Sequence, residues 1–541
     1  MHQVTSTRRN RERWIRPVIS CAAGAALSLC WTQNISPATG VAATFILGLI
    51  FASATSDSPR ESAGAWFLAG VALRAGAFFW VPAVVEDSFG VSQPVALLFF
   101  LLMITFESLT WAITGYLCSR AVFQKTFSIC VVPAVIVTLD VFWPRVFPWA
   151  LGHMFVGIPE ISQFAEVAGV HGLTWLIVTA SFGVAALIQF IQRRFFGRIV
   201  PASQCLFCSG QCLVMAFSGL VLMVTAAVWG AGRIQYFQNV FRETTPVRVA
   251  AAQVDTTAVN AETRLRELSE SVTPAPDLVV WPESSIGFYS EQIQDFRDEE
   301  SVRKLAREPY CGLPGYSVPG SDLLACGATF SDDASPEGPY LNTAFLINHE
   351  QKILGKSGKR TLLPWGEYVP GQHLVPSLRA IAGIDSLRSF ERSAEPLQTA
   401  KGLRIGAMIC YDDINAETAA QSAAAGAQIL TTQVNAADYE NPTALRQHLL
   451  LAQLRTIENR RYLVRSASTG ITCIVSPLGE MIAECPPKQE GIISANIHPL
   501  TVTTIYTRYG DWFVYLNLFA FAPIVRRFGQ DIAAKMLSSR S

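Results

Sequence analysis

Long apolar runs alternate with short polar ones over the first 232 residues, after which the pattern changes. Runs at about 17–31, 38–56, 64–85, 94–118, 127–143, 171–191 and 211–232 approach the ~20 residues needed to cross a bilayer. The first and fifth are short, and an eighth short run lies at 512–525. The first follows five arginines, as the core of a signal peptide would, but the runs behind it favour a retained helix. From 247 to 499 short apolar strands alternate with helical stretches. Strands are predicted at 247–254, 278–281, 343–348, 402–409, 428–434, 462–466 and 471–476, and helices at 261–271, 414–425 and 444–459. This alternation predicts an α/β layered domain. The expected organisation is a membrane domain over 1–246, a folded α/β domain over 247–500, and a final span with its tail over 501–541. There is no internal repeat and no low-complexity segment.

Composition agrees. Half of the residues are hydrophobic and 16% charged, too apolar for an ordinary soluble chain. Lys+Arg and Asp+Glu balance at 42 each, so no nucleic-acid partner is expected. Twelve cysteines follow no repeated spacing, and no disulfide framework is implied. Cys205, Cys208 and Cys212 lie beside a predicted span with no histidine or acid near, and read as small packing residues rather than metal ligands.

Loop charge sets the orientation. Basic residues gather before span one, at Arg60, at Arg120 and Lys125, at Arg193, Arg194 and Arg198, and after span eight at Arg526, Arg527 and Lys535. The alternate loops are poorer in Lys and Arg, with Arg145 the one basic residue before span six. The positive-inside rule then puts both termini in the cytoplasm and the 247–500 domain on the outside. Arg74 and Glu107 fall within spans, where each charge costs about 2.5–3.5 kcal/mol unless paired or facing a polar cavity. The apolar loop 145–170, with Phe147-Pro-Trp149, is expected at the membrane interface.

The candidate chemistry lies at strand ends. Leu403 to Ile409 reads as a buried strand running into Cys410-Tyr-Asp-Asp413 and an alanine-rich helix. That puts Cys410 at a helix N-terminus, where free N–H groups and the dipole favour a thiolate. Alone, such a cysteine is more often a buried core residue. Glu283 closes the strand Leu278–Trp281, and Lys359 lies in Gly358-Lys-Arg-Thr-Leu-Leu-Pro-Trp-Gly-Glu367. Together the three supply a nucleophile, a general base and an oxyanion-stabilising cation, the parts of a cysteine acyl-transfer site.

Trp281-Pro-Glu283, Lys359 with Leu-Pro-Trp-Gly-Glu367, and Ile409-Cys-Tyr-Asp412 resemble the Glu-Lys-Cys motifs of the nitrilase superfamily. With spans in front and one behind, nearly the whole chain resembles the apolipoprotein N-acyltransferases of the bacterial inner membrane. The resemblance implies a polytopic α-helical membrane domain of about eight spans and a nitrilase-like αββα sandwich on the periplasmic side. It implies that Cys410 takes an acyl chain from a phospholipid, with Glu283 as base and Lys359 at the oxyanion. The acyl group would then pass to the α-amino group of a diacylglyceryl-cysteine at an apolipoprotein N-terminus. Glu367 would orient Lys359 or the base, and Tyr411 and Asp412 would shape the pocket; Asn435 is a further supporting candidate. No cofactor and no metal is expected, and the protein is expected to act as a monomer.

Three departures stand out. Asp412 occupies a position where the family usually has Glu, Asn435-Ala-Ala-Asp-Tyr439 lacks the family's Trp, and Asp140 stands where relatives tend to carry Glu. A membrane-bound amidase or hydrolase passing the acyl group to water is the alternative enzyme, and a receptor or transporter with a ligand-binding outer domain the non-enzymatic one. With only a short tail behind span eight, an appended glycosyltransferase domain is not expected.

Overall fold

The computed structural model describes residues 2–32, 35–56, 58–119, 128–196, 209–290, 292–294, 296–298, 316–330, 340–372, 374, 394–437 and 441–519. Arg120, Lys125, Arg198, Cys205, Cys208, Tyr439, Arg526, Arg527 and Lys535 lie outside these residues, as does the end of the predicted eighth span. The chain divides into two compact units. One comprises residues 1–145, 149–233 and 511–541, and the other 146–148 and 234–510.

The first unit is helical. By length and composition, Ile15–Thr32, Pro37–Ala54, Gln93–Cys118, Ala165–Gln192 and Ala216–Glu243 can each cross a membrane. The predicted third span is a bent pair, Pro59–Ala77 and Val81–Phe89, turned by 57°. Pro82 in the first turn of the second piece lacks an N–H to continue the ladder. With that pair counted once there are six spans among the described residues, beside the shorter apolar helix Val131–Phe142. Local sequence sets the starts: Ser36 and Thr39 form a reciprocal cap ahead of Pro37. Helix approach relies on small residues: a Cβ on Gly24 would lie 2.1 Å from the Ala69 carbonyl oxygen.

The two intramembrane charges meet. Arg74 Nε donates to Glu107 Oε2 at 3.2 Å, and the guanidinium lies over the rings of Trp111 and Trp149. Asp140 Oδ1 accepts from Arg145 Nη2 at 2.6 Å. Pairing offsets the insertion cost that each charge would carry alone.

The second unit is an αββα sandwich. Strands β1 (Val247–Gln253), β2 (Leu278–Val280), β3 (Phe288–Ser290), β4 (Asp322–Phe330), β5 (Tyr340–Ile347) and β6 (Ile353–Gly358) belong to one sheet. Strands β7 (Leu397–Gln398), β8 (Arg404–Ile409), β9 (Ile429–Val434), β10 (Tyr462–Ala467), β11 (Thr472–Val475) and β12 (Met481–Cys485) form the other. The last strand, β13 (Gly491–Ile497), returns to the first sheet, giving the order β13-β1-β2-β4-β5-β6 with β3 beside β4.

Alternation along each strand builds three layers of core. Val249, Ala251, Leu278 and Val280 meet Ile405, Ala407, Ile409 and Val464 between the sheets. Their neighbours Ala250, Ala252, Val279 and Trp281 pack outward against Leu265 of the helix Ala261–Glu270. On the other side Met408, Leu430 and Leu463 pack against Leu445, Leu449 and Ala452 of the helix Pro442–Asn459. Strands covered on both faces read as continuous apolar runs, which is why β1, β2, β8, β9 and β10 are visible in the sequence.

Strands β3, β4, β6, β7, β12 and β13 are not predicted. β6 is Ile-Leu-Gly-Lys-Ser-Gly and mostly half-exposed, with neither the alternation nor the branched residues of a strand. β12 and β13 are likewise half-exposed over most of their length.

Candidate active site

The loops that carry the candidate residues leave the same end of the sandwich. β1, β2 and β4 run parallel, and β6 shares their direction through two antiparallel steps. β8, β9 and β10 are parallel in the facing sheet. Glu283 therefore follows β2, Lys359 follows β6, Cys410 follows β8 and Asn435 follows β9 at one rim, where ligands of parallel sheets commonly bind.

Lys359 is 1% exposed and stands between two carboxylates. Its Nζ lies 2.5 Å from Glu367 Oε1 and 3.9 Å from Glu283 Oε1. The second oxygen of Glu367 accepts from the Leu363 N–H at 2.8 Å, closing the loop on itself and fixing the acid against the lysine. Glu283 Oε1 accepts from Asn342 Nδ2 at 2.5 Å and its Oε2 from the Asn435 N–H at 2.7 Å. Asn342 lies in β5, and its carbonyl accepts from the Lys359 N–H at 2.9 Å. One strand residue thus holds both the Glu283 carboxylate and the backbone of Lys359.

Asp412 is fully buried and ties the lysine loop to the cysteine turn. Its carboxylate accepts from the N–H groups of Thr361 at 2.7 Å, Arg360 at 3.2 Å and Ile409 at 3.1 Å. An asparagine would point an amide N–H at one of these donors. Asp412→Asn is expected to cost about 2–3 kcal/mol in stability. With the loop displaced, activity should fall about 10–100-fold, measured by thermal unfolding beside turnover. Unchanged melting and turnover would show that the clamp has no such part. Tyr411 donates its hydroxyl to the Val146 carbonyl, so it anchors the loop 146–148.

Cys410 is partly exposed and has φ of +48°, the left-handed region that non-glycine residues seldom occupy. Ser284 (φ +59°), directly behind Glu283, and Trp365 (φ +67°), inside the lysine loop, share that region. Backbone strain therefore falls in all three motifs.

The turn itself corrects the predicted helix. Residues Cys410–Ile414 form a 3₁₀ turn, and the alanine-rich helix starts only at Ala416. Asn415 caps it, taking the N–H groups of Glu417 and Thr418 on Oδ1. Those donors are occupied, and the thiolate expected at a helix N-terminus does not form that way. Burial and the Glu283 charge push the Cys410 thiol well above its ordinary value, against the pull of Lys359. Burial also raises Glu283, with Lys359 opposing. Burial alone would lower Lys359, but the charges of Cys410 once ionised, Glu283 and Glu367 outweigh it and hold the ammonium well above the usual lysine value. The resting set is a thiol, a carboxyl more readily protonated than that of ordinary glutamate, and an ammonium that keeps its charge above the usual lysine range.

Asn342 escapes sequence reasoning, although an amide inside an apolar strand is a recognisable signal. So does Asp413, buried beneath the cysteine turn. Its oxygens meet His448 Nε2 at 2.8 Å and Arg465 Nε at 3.2 Å. Burial would raise Asp413, but His448 and Arg465 overcome it and hold the carboxyl below the usual aspartate range.

A carbon-nitrogen hydrolase family model matches residues 248–506. The model of the apolipoprotein N-acyltransferase N-terminal domain matches residues 23–183. The apolipoprotein N-acyltransferase of Geobacter metallireducens is 28% identical, over 93% of this chain and 93% of that one. The protein of the same name from Azotobacter vinelandii is 25% identical over the same shares. Among solved structures, Saccharomyces cerevisiae Nit3, a member of branch 10 of the nitrilase superfamily, is similar at 18% identity and a TM-score of 0.35, over 49% of this chain and 94% of that one. With a helical unit ahead of the sandwich and both models matched in that order, the chain is similar to apolipoprotein N-acyltransferases along nearly its whole length.

Proposed function

We propose that the protein N-acylates lipoproteins by a two-step transfer in which Cys410 carries the acyl group as a thioester. The observation that carries this reading is the Lys359 ammonium between the carboxylates of Glu283 and Glu367, all three acting on the Cys410 thiol. Glu283 takes the thiol proton as sulfur attacks the ester carbonyl of a phospholipid acyl chain. The oxyanion forms beside Lys359 and then collapses. The C–O bond breaks, and the leaving alkoxide takes the proton back from Glu283 and departs as a lysophospholipid. In the second step the free α-amino group of a diacylglyceryl-cysteine attacks the thioester. Glu283 accepts a proton from that amine, the C–S bond breaks, and the sulfur is reprotonated.

A thiol with a raised pKa suits this scheme. Since the S–H form dominates at neutral pH, base and nucleophile must act together. Loop charge supports an extracytoplasmic position for the sandwich, on the bacterial inner membrane. Apolar helices before it would keep the site at the lipid surface, so neither acyl chain need cross water. No nucleic-acid role and no second copy of the chain enters the reading.

Mass spectrometry of the purified protein after incubation with phospholipid tests it. An acyl mass on Cys410 that disappears when a diacylated lipopeptide is added, with triacylated product formed, is the expected result. Release of free fatty acid without transfer would make the protein a hydrolase instead. The rate should also report the base. Only ionised Glu283 can accept the proton, so kcat/KM falls as pH drops through its raised pKa, and the acid limb should lie above the usual glutamate value of about 4.3. The Lys359 ammonium persists above its ordinary range, so its loss should not shape the profile between neutral pH and about 10. Glu283→Gln should lower the rate by about 10²–10⁴-fold and remove the acid limb.

A further inference from the structure

A concavity opens at the same rim of the sandwich, one strand pair beyond Glu283. It holds about 460 Å³, within the range of about 300–1,000 Å³ typical of ligand sites. Its walls are the segment 254–260 behind β1, residues 436 and 437 behind β9, residues 468 and 469 behind β10, and 488–490 ahead of β13. We propose that this cleft binds the polypeptide of the acceptor lipoprotein, the residues that come after its lipidated cysteine; the inference rests on the acyl-transfer reading above.

Position is the first argument. β1 lies beside β2, and β10 beside β9, so the cleft continues the row of strand ends that carries Glu283 and Asn435. Neighbouring strands are about 4.8 Å apart and an extended chain advances about 3.4 Å per residue. A peptide whose amino end meets the thioester therefore enters the cleft within its next one to three residues. The two sites also share a wall. Asn435 gives its N–H to Glu283, while its Oδ1 accepts from Ser468 Oγ at 2.8 Å and from the Ala437 N–H at 3.1 Å. Ser468 and Ala437 both line the cleft.

Chemistry is the second. Lys488 is the one cation among the lining residues. Asp255 is turned onto the N–H and hydroxyl of Thr257, and Glu490 accepts from Arg264 Nε at 2.9 Å. A phosphodiester head group would call for clustered arginine or lysine donors. Thr257, Asn260, Thr469 and Gln489 instead offer neutral donors and acceptors, which suit the amides of a main chain. The cleft is also firm: Gln253 at the end of β1 donates to the Pro486 and Gln489 carbonyls at 2.6 and 2.8 Å and accepts from the Thr472 N–H at 3.0 Å.

Ala258 and Thr469 line the cleft from two different segments and belong to no part of the reacting cluster. Ala258→Trp and Thr469→Trp, made separately in the full-length protein, would fill it. The probes are phospholipid vesicles as donor and two synthetic acceptors: S-diacylglyceryl-cysteine amide, and the same group extended by four residues. The wild type is expected to show at least a fivefold lower KM for the longer acceptor. Each variant should raise that KM at least tenfold, while thioester formation at Cys410 and transfer to the cysteine amide stay within twofold. Intact thioester formation also shows that the variants fold. Equal KM values for the two acceptors in the wild type, or variants that leave the longer acceptor's KM unchanged, would overturn the assignment. Slower acylation of Cys410 with a raised donor requirement would make the cleft a head-group site and overturn it too. Failure of the wild type to form any thioester would remove the underlying reading and this one with it.

Discussion

Cys410→Ser is expected to abolish the acyl mass at residue 410 and to cut lipopeptide acylation by about 10³-fold or more, with little change in stability. Serine is close to isosteric and fits the same left-handed backbone, so folding energies should stay within about 1 kcal/mol. The chemical difference is large. A hydroxyl is a far weaker acid than a thiol, and burial with the neighbouring Glu283 charge already pushes the thiol well up. Glu283, itself raised only from the carboxylate range, cannot share the proton of an alcohol effectively in that field. Removing a nucleophile that acts as one unit with its base typically leaves only the contribution of binding and oxyanion stabilisation. Thermal unfolding, intact mass and turnover on the same preparation separate these effects. A serine variant that transfers acyl groups within tenfold of the parent would mean that the chemistry resides elsewhere.

Much of this site is legible in the sequence because its chemistry sits at the ends of strands buried on both faces. Leu278–Val280 and Arg404–Ile409 are short apolar runs, and the polar residues just past their ends fall at the rim. Lys359 is legible for another reason, the resemblance of Lys359 and the Leu-Pro-Trp-Gly-Glu367 behind it to a nitrilase-superfamily motif, because β6 ahead of it carries no strand signal. Contacts between segments distant in the sequence stay hidden. Asn342 reaches Glu283 only because β5 lies between β4 and β6 in the sheet order, and no local pattern encodes that neighbour. Asp412 can be seen as an acid beside the cysteine, but its three backbone partners come from two separate loops. The cysteine's electrostatics are misread for a similar reason. A helix N-terminus raises the thiolate population only if its N–H groups are free, and Asn415 consumes them one residue before the helix begins.

The membrane unit has the converse balance. Its helices are plain in the hydropathy pattern, whereas the 57° break between Pro59–Ala77 and Val81–Phe89 is not, because the run 64–85 stays apolar across it. Arg74 and Glu107 signal a polar contact by their cost alone, and the structure supplies the pairing together with the two tryptophan faces that flank the guanidinium.

Lys359→Met should damage stability and catalysis together, by separable routes. Methionine keeps the length of the side chain but removes the cation from between two acids that lie 3.9 and 2.5 Å from it. Breaking a buried pair from one side costs about 3–5 kcal/mol, since the remaining charge is left without compensation. For a unit of this size that corresponds to a fall in melting temperature of roughly 6–20 °C. Loss of the cation at the oxyanion should cost a further 10²–10³-fold, about 3–4 kcal/mol, in the rate of both transfer steps. The acid limb of the pH profile should also move up, because Lys359 is what opposes the burial-driven rise of Glu283. Adding Glu367→Gln distinguishes the two routes. The double variant loses one uncompensated carboxylate and should regain most of the melting temperature, yet it still lacks a cation at the oxyanion and should stay as inactive as the single variant. Recovery of turnover along with stability would show that Lys359 acts only by neutralising Glu367, and would remove it from the chemistry.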